Sequence, residues 1–202
     1  MSGENPFDAG YCETADLREL GFADVGENVR ISRGCNIVGL ENISIGSHVR
    51  IDFATTIIAG AAGLRIGSYV HIGAYGYLSA GAGITIGNFA NLSQRVSLYT
   101  ANDTYQGGCF TNPMIPAEYT DIIRGPIHLG AHVLLGSGTL VLPQTTIGDG
   151  ASVGALSLVR EDLDPWTIYA GIPARRRGPR ARIDPDGQIA TRLLNQEPPR
   201  VR

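Results

Sequence analysis

A six-residue repeat is the feature that most constrains this chain. From Leu129, six successive hexads begin with an aliphatic residue, and glycine follows it in four of them. The fifth place of the hexad is small or β-branched in most of the six. The starting residues are Leu129, Leu135, Val141, Ile147, Val153 and Val159. A chance sequence gives one or two such hexads but not six in a row, so the repeat decides the fold.

Each hexad predicts a short strand followed by a turn, and three hexads make one circuit of a triangular coil. Successive circuits stack at the spacing of hydrogen-bonded strands, about 4.8 Å. The first residue points into the narrow prism, and the glycine beside it eases the turn. We therefore predict an all-β chain, folded as a left-handed parallel β-helix.

The N-terminal half follows the same rule, with extra residues at one corner. Hexads start in trios, at Val25, Ile31 and Ile37; Ile45, Ile51 and Ile57; Ile66, Ile72 and Leu78; and Ile86, Leu92 and Leu98. Steps within a trio are six residues, whereas steps between trios are eight, nine, eight and finally 31. About six coils result, and the corner after the third face holds every insertion. Function is expected at that corner, because loops carry sites that a rigid scaffold positions.

These patterns divide the chain into three parts. Residues 1–24 are predicted to form an N-terminal cap with a short helix at 14–20, which ends at Gly21. Residues 25–164 form the β-helix, with one long protruding loop at 104–128. Residues 165–202 form a C-terminal extension, in which the Pro- and Arg-containing tail from about Pro179 is expected to be irregular.

Composition limits the class of protein. A net charge of −3 argues against a general nucleic-acid binder or a protein of membrane surfaces. Three widely spaced cysteines and no CxxC motif indicate neither a disulfide framework nor a structural zinc site. The sequence shows no signal pattern and no apolar run of transmembrane length, so we expect a cytoplasmic protein without membrane insertion.

Two C-terminal segments carry a family resemblance. IGDGASVGALSLV, followed by IYAGIPARR, resembles the hexapeptide-repeat acyltransferase superfamily. Within it, the chain is similar to the sugar acetyltransferase branch, which includes galactoside- and maltose-type enzymes and nucleotide-amino-sugar acetyltransferases. The resemblance spans about residues 17–177. It implies a homotrimer that binds acetyl-CoA in the groove between adjacent prisms and needs no metal.

The resemblance also implies where coenzyme A lies. The thioester end is expected to pass Gly136 and Ser137. The backbone groups of Ala155 and Ser157, one coil above, are expected to meet the pantetheine arm. Beyond the IPA triplet, two arginines are placed for the phosphates of CoA, because guanidinium matches phosphate geometry. These are Arg175 and Arg176.

The chain departs from the galactoside- and maltose-type enzymes at the catalytic base. Their histidine falls where this chain has Asn102 or Asp103. Two other histidines are candidate bases. His128 ends the long loop, and Asp103 begins it one coil below, so we expect the two side chains to lie within reach as a base and its orienting carboxylate. His71 stands in a phrase, YVHIGAYGYLSAG, that resembles the histidine-bearing coil of amino-sugar N-acetyltransferases.

The missing histidine also bears on the acceptor. A sugar amine with a pKa near neutrality is partly unprotonated and needs no strong base. The favoured reaction is therefore acetylation of the amino group of a nucleotide-linked amino sugar, in the synthesis of a surface polysaccharide such as lipopolysaccharide. Asn102, Tyr105 and Tyr119, at and in the loop, are the candidate acceptor-binding residues.

Three alternatives stay open. The first is an O-acetyltransferase that acts on a saccharide or another small hydroxyl acceptor. The second is a γ-type carbonic anhydrase, built on the same coil, although His128 and His132 are separated by three residues rather than the four that its zinc site requires. The third is a binding trimer without catalytic activity.

Overall fold

Three parallel sheets, wound into a triangular prism, make up most of the molecule. The computed structural model describes residues 8–184 and 186–196. Each of six coils places one strand on each of three faces, which we number 1 to 3 in the order in which the chain visits them. The structure confirms the predicted left-handed parallel β-helix.

The elements before the long loop are β1 (Tyr11–Glu13), α1 (Thr14–Glu19), β2 (Asp24–Val25), β3 (Arg30–Ser32), β4 (Asn36–Val38), a 3-10 turn (Leu40–Asn42), β5 (Ile43–Ile45), β6 (Arg50–Ile51), β7 (Thr56–Ala59), β8 (Leu64–Ile66), β9 (His71–Ile72), β10 (Tyr77–Ala80), β11 (Ile84–Ile86), β12 (Asn91–Leu92) and β13 (Ser97–Tyr99). The elements from the loop onward are β14 (Ala101–Asp103), a second 3-10 turn (Ala117–Tyr119), β15 (Ile122–Arg124), β16 (Ile127–Leu129), β17 (Leu134–Leu135), β18 (Leu140–Val141), β19 (Thr145–Ile147), β20 (Ser152–Val153), β21 (Leu158–Val159), β22 (Thr167–Ala170), β23 (Arg175–Pro179) and α2 (Gln188–Asn195).

Inward side chains form continuous columns, because consecutive coils pair in parallel and in register. The column of face 2 is Ile31, Ile51, Ile72, Leu92, Leu135 and Val153. Every predicted hexad start is buried except Ile37, which is half-buried. Burying one such side chain contributes about 1.5–3 kcal/mol, so the columns supply most of the stability of the prism.

The two ends of the prism differ. At the first coil, α1 buries Leu17 to 2% exposure and packs against β1 and β2. At the other end the β-helix continues past Asp164, the residue at which the sequence predicted that it ends. Leu163 bridges to Ile147, and β22 pairs in parallel with β20, so face 2 gains a strand beyond the six coils.

The insertions lie at the corner between faces 3 and 1, as the spacing of the hexads predicts. The largest insertion leaves the prism as a two-stranded antiparallel ribbon of β14 and β15. Its base is closed by the Gly125 amide, which donates to the carbonyl of Thr100 at 3.1 Å.

The C-terminal extension differs from the irregular tail expected from sequence. After β23, which runs antiparallel to β22, the chain forms α2 and returns to the prism. The hydroxyl of Tyr69 donates to the carbonyl of Leu193 at 3.0 Å. Arg180 donates to the carbonyls of His132 and Gly150 at 2.8 and 3.0 Å, and burial lowers the pKa of this guanidinium. Such backbone contacts are too specific for an irregular tail.

Parts of the predicted cap and tail, at 1–7, 185 and 197–202, lie outside the described residues. Within the described part of the chain, the helices are too short or too polar to span a lipid bilayer.

Candidate active site

Face 2 carries two outward columns of side chains, because a strand alternates and leaves the residues on either side of the inward aliphatic facing out. The column nearer face 1 begins with four residues that can donate hydrogen bonds, and we call these four the donor column. They are Arg30, Arg50, His71 and Asn91. The column nearer face 3 contains Ser32, Asp52, Gly73, Ser93, Gly136 and Gly154.

Asp52 is the centre of a polar cluster on this face. One of its oxygens, Oδ1, accepts from the hydroxyl of Tyr11 at 3.1 Å and from Nε of Arg50 at 2.9 Å. The other, Oδ2, accepts from Nε2 of His71 at 2.8 Å. The second ring nitrogen of His71 lies 3.0 Å from the Oδ1 atom of Asn91. Residues from three coils and β1 are thereby fixed relative to one another.

The cluster shifts the acidity of two of its members. Burial works to raise the pKa of Asp52, but the hydrogen bond and charge of His71, with Tyr11 and Arg50, outweigh it, and the net pKa lies below the usual range. Burial and the hydrogen bond to Asp52 raise the pKa of Tyr11. Asp52 is therefore an anion near neutrality, and Tyr11 is a neutral donor.

Stacked rings line the corner between faces 1 and 2. The corner stack consists of His48, Tyr69, Phe89, His132 and Trp166. Each of its residues has a positive φ, and the ring centroids of the first four are 4.5, 5.2 and 4.9 Å apart. Gly150 occupies the corner position between His132 and Trp166. A Cβ there would lie 2.4 Å from the ring of Trp166, so only glycine leaves room for that ring. The stack forms a rigid wall beside the donor column.

The residues predicted for CoA lie together at the corner between faces 2 and 3. The amide of Leu156 donates to the carbonyl of Ser137 at 2.9 Å, which holds two successive coils together. A Cβ on Gly136 would lie 2.5 Å from the amide nitrogen of Ala155, so only glycine allows this approach.

The side chain of Ser157 faces the interior of that corner. Its side chain is 2% exposed, and its hydroxyl donates to the carbonyl of Gly154 at 2.6 Å and accepts from the amide of Gly171 at 3.0 Å. Its own carbonyl accepts from Leu140. Ala155 is exposed, as are Arg175 and Arg176 on β23. These three, unlike Ser157, have surfaces open to a ligand.

The structure separates Asp103 from His128. Asp103 lies at the outer end of β14, opposite Ile122, whereas His128 is exposed on face 1 between Thr85 and Thr146. Among the described residues, no hydrogen bond or ion pair joins the two. The ribbon causes this, because it carries Asp103 outward while His128 rejoins the prism. The expected contact does not form within one chain.

The loop residues predicted for the acceptor are spread along the ribbon and beyond it. Asn102 is half-buried on β14. Tyr105 is 89% exposed and Tyr119 is 57% exposed. Tyr119 lines a shallow pocket together with Phe110. The loop thus presents apolar surface that its own chain leaves uncovered.

The histidines of the carbonic anhydrase alternative lie apart within the chain. His71 is on face 2, His128 is on face 1, and His132 is in the corner stack. In the described part of the chain, no three His, Cys, Asp or Glu residues are grouped as metal ligands. Cys12, Cys35 and Cys109 are free thiols.

Comparison with known proteins decides the family. The chain is 44% identical over 165 residues to a dTDP-4-amino-4,6-dideoxy-D-glucose acyltransferase of Escherichia coli, covering 82% of this chain and 86% of that protein. It superposes with a TM-score of 0.86 and 36% identity on the Bacillus cereus N-acyltransferase AntD in complex with dTDP-4-amino-4,6-dideoxyglucose and CoA, covering 92% and 98% of the two chains. No family model matches.

The chain belongs to the acyl-CoA-dependent sugar acyltransferases of the hexapeptide-repeat type. This membership favours the acyltransferase over the carbonic anhydrase and over a silent trimer. A hexapeptide-repeat acetyltransferase of Vibrio cholerae in complex with acetyl-CoA, at 23% identity and a TM-score of 0.55 over 83% of this chain and 76% of that one, shares the fold.

Three residues of the polar cluster of this acyltransferase were not among the predicted site residues: Arg50, Asp52 and Asn91. All three flank a hexad start on face 2, at the place just before it or just after it. Those two places, taken down the six coils, give both outward columns, whereas the prediction rested on the inward places and the insertions.

The pKa of Asp52 leads to a prediction about stability. Because the folded-state pKa is lowered, Asp52 contributes stability above its unfolded pKa of about 3.9, and this contribution is lost as the pH falls through the folded value. Asp52→Asn should lower the free energy of unfolding at pH 7 by roughly 1–3 kcal/mol. The difference from the unaltered protein should shrink at pH 3, as measured by urea titration.

Asp121→Asn, at an exposed loop carboxylate, is the matched control and should show no such change. If Asp52→Asn lowered the free energy of unfolding equally at pH 7 and pH 3, Asp52 would not be the stabilising anion described above.

Proposed function

We propose that this acyltransferase moves an acyl group from an acyl-CoA to the amino group of a nucleotide-linked aminodeoxyhexose. The likeness to AntD, which extends over nearly the whole of both chains and concerns a complex with a dTDP-linked amino sugar and CoA, carries this proposal. The named activity of the E. coli relative agrees with it. Another AntD structure holds 3-hydroxybutyryl-CoA, so acyl groups larger than acetyl belong to the candidate donors.

The reaction needs an unprotonated amine and a polarised thioester. The amine nitrogen attacks the carbonyl carbon, a C–N bond forms, and the C–S bond breaks. The amine gives up a proton, and the sulfur leaves as the CoA thiolate and takes up a proton to become the thiol. A side chain near the amine has only to orient it and to accept or relay that proton.

We assign this part to Asp103, with Ser93 beside the reacting atoms. AntD structures have been solved with a serine or an aspartate substituted, and these two residues stand ten positions apart. Ser93 and Asp103 have the same spacing in this chain. His128 and His71 stay alternative bases. His71 is the weaker one, because both of its ring nitrogens already have partners.

A homotrimer brings Ser93 and Asp103 together. Ser93 follows β12 at the corner between faces 2 and 3, whereas Asp103 lies past the far edge of face 3. The width of face 3 separates them within one chain, so the loop of one subunit would have to reach the neighbour's corner. Face 3 suits such an interface because each of its coils places an aliphatic or aromatic side chain outward, beside small polar ones such as Thr56, Ser79 and Ser97. Its outward side chains include Val38, Ile58, Tyr77, Tyr99, Leu140 and Leu158.

The same corner supports the placement of CoA. Gly136 and Ser137 would receive the thioester end, Ala155 would follow the pantetheine arm together with the backbone at Ser157, and the phosphates would meet Arg175 and Arg176. Asn102, Tyr105 and Tyr119 would close over the acceptor from the loop. Acyl-CoA and nucleotide sugars are metabolites of the cytoplasm, so we place the enzyme there, in the synthesis of a surface polysaccharide.

The first test is the reaction itself. With acetyl-CoA or 3-hydroxybutyryl-CoA, the protein should release thiol when dTDP-4-amino-4,6-dideoxyglucose is added, and mass spectrometry should detect the acylated sugar nucleotide. dTDP-glucose, which offers only hydroxyls, is the matched acceptor control. Turnover of dTDP-glucose with none of the amino sugar would favour the O-acetyltransferase instead.

The second test concerns Asp103. Asp103→Asn should lower kcat by about 10²-fold or more, because the residue is placed at the amine and takes part in proton transfer. Asp121→Asn makes the same change in the same loop and should leave kcat near that of the unaltered enzyme. Similar kcat values for the two variants would remove Asp103 from the reaction.

A further inference from the structure

A groove of about 380 Å³ runs along face 2 at its edge with face 1. Its lining includes the donor column on one side and the corner-stack residues His48, Tyr69 and Phe89 on the other. The rings of the stack face one another, so they present their edges to the groove. One side of the groove is therefore rigid and aromatic, and the other carries hydrogen-bond donors.

The groove carries excess positive charge on a chain whose net charge is −3. Arg30 is exposed, its guanidinium lies 5.7 Å from the centre of the Tyr11 ring, and no carboxylate pairs with it among the described residues. Arg50 pairs with Asp52, whose carboxylate also binds Tyr11 and His71. The residues that line the groove include these two guanidiniums and no carboxylate, while Asp52 and Glu13, which stands opposite Arg30 on β1, lie beside it. Guanidinium binds phosphate oxygens in pairs, with matched geometry.

The groove also lies at a suitable distance from the reacting atoms. Asn91 and Ser93 flank the same inward residue, so the donor column adjoins the column of Ser93. Arg50 is two coils below Asn91. Strand spacing and rise place the Cα atoms of Arg50 and Ser93 roughly 12 Å apart. A hexose with its diphosphate, together with an arginine side chain, can span that distance.

Resting on the proposed function, we propose that this groove binds the diphosphate of the nucleotide-linked acceptor. Arg30 and Arg50 contact the phosphate oxygens. Asp52 and His71 are positioning residues, because they fix Arg50 rather than touch the acceptor. The donor column ends at Asn91, since the next outward residue on face 2 is Leu134. The phosphate site is accordingly confined to the coils below Ser93.

Binding of dTDP tests the groove without turnover. Arg30→Gln and Arg50→Gln should each weaken dTDP binding about tenfold or more in calorimetry, since each removes a charged hydrogen-bond donor. Binding of thymidine, which lacks phosphates, should change little. Arg65→Gln is the matched control, because Arg65 is exposed and outward on the neighbouring face. Unchanged dTDP affinity in both groove variants would overturn the proposal.

Kinetics separates the groove from the proposed function. Arg30→Gln should raise KM for the amino-sugar nucleotide while leaving kcat and KM for acyl-CoA near their original values. His71→Gln should likewise raise KM for the amino-sugar nucleotide, because His71 positions Arg50. A fall in kcat with KM unchanged would identify His71 as a base and contradict its positioning role. If the enzyme acylates the amino sugar and both arginine variants still bind dTDP normally, the proposed function holds and the groove is not the diphosphate site. If dTDP binding depends on the two arginines but the enzyme does not acylate the amino sugar, the groove binds the nucleotide and the proposed function is wrong.

Discussion

The stacking of aliphatic side chains inside a narrow prism is the constraint on which the rest of the molecule depends. Each coil must send one such residue inward on each face, and parallel pairing aligns these residues in columns. The outward places are then aligned as well, whatever residues they hold. A polar column such as Arg30, Arg50, His71 and Asn91 follows from that alignment, with no loop needed to assemble it.

Two different surfaces result from this one rule. Face 3 places an aliphatic or aromatic side chain outward on every coil, which would suit an interface between copies of the chain. Face 2 is polar in its first four coils and carries Leu134, Gly136 and Gly154 in its later ones. Donor and acceptor can therefore share one face, with CoA along Gly136 and Ala155 and the charged part of the acceptor below Ser93. The insertion leaves the prism just after Thr100, and its ribbon carries Asp103 outward, where the proposed mechanism has it approach the acceptor of a neighbouring subunit.

The sequence predicted the coils well, because a hexad signals its strand, its turn and its inward residue within six positions. It also placed the insertions at one corner, because only the steps between trios of hexads are longer than six residues. The Asp52 cluster was not predicted, because its members come from β1 and from successive coils, as far as 41 residues from Asp52 along the chain, and meet only through the register of the strands. The predicted contact between Asp103 and His128 does not form, because the ribbon of β14 and β15 carries Asp103 away from the prism. Nothing in the local sequence marks this ribbon.

In the proposed complex, face 2 holds the acceptor next to the thioester. A crystal structure of the enzyme with CoA and dTDP-4-amino-4,6-dideoxyglucose tests it most directly. We expect the amino nitrogen beside Ser93, the sulfur of CoA near Gly136, and the diphosphate between Arg30 and Arg50. A nucleotide bound on face 1, or at the outer end of the loop with its amine far from the sulfur, would contradict this account.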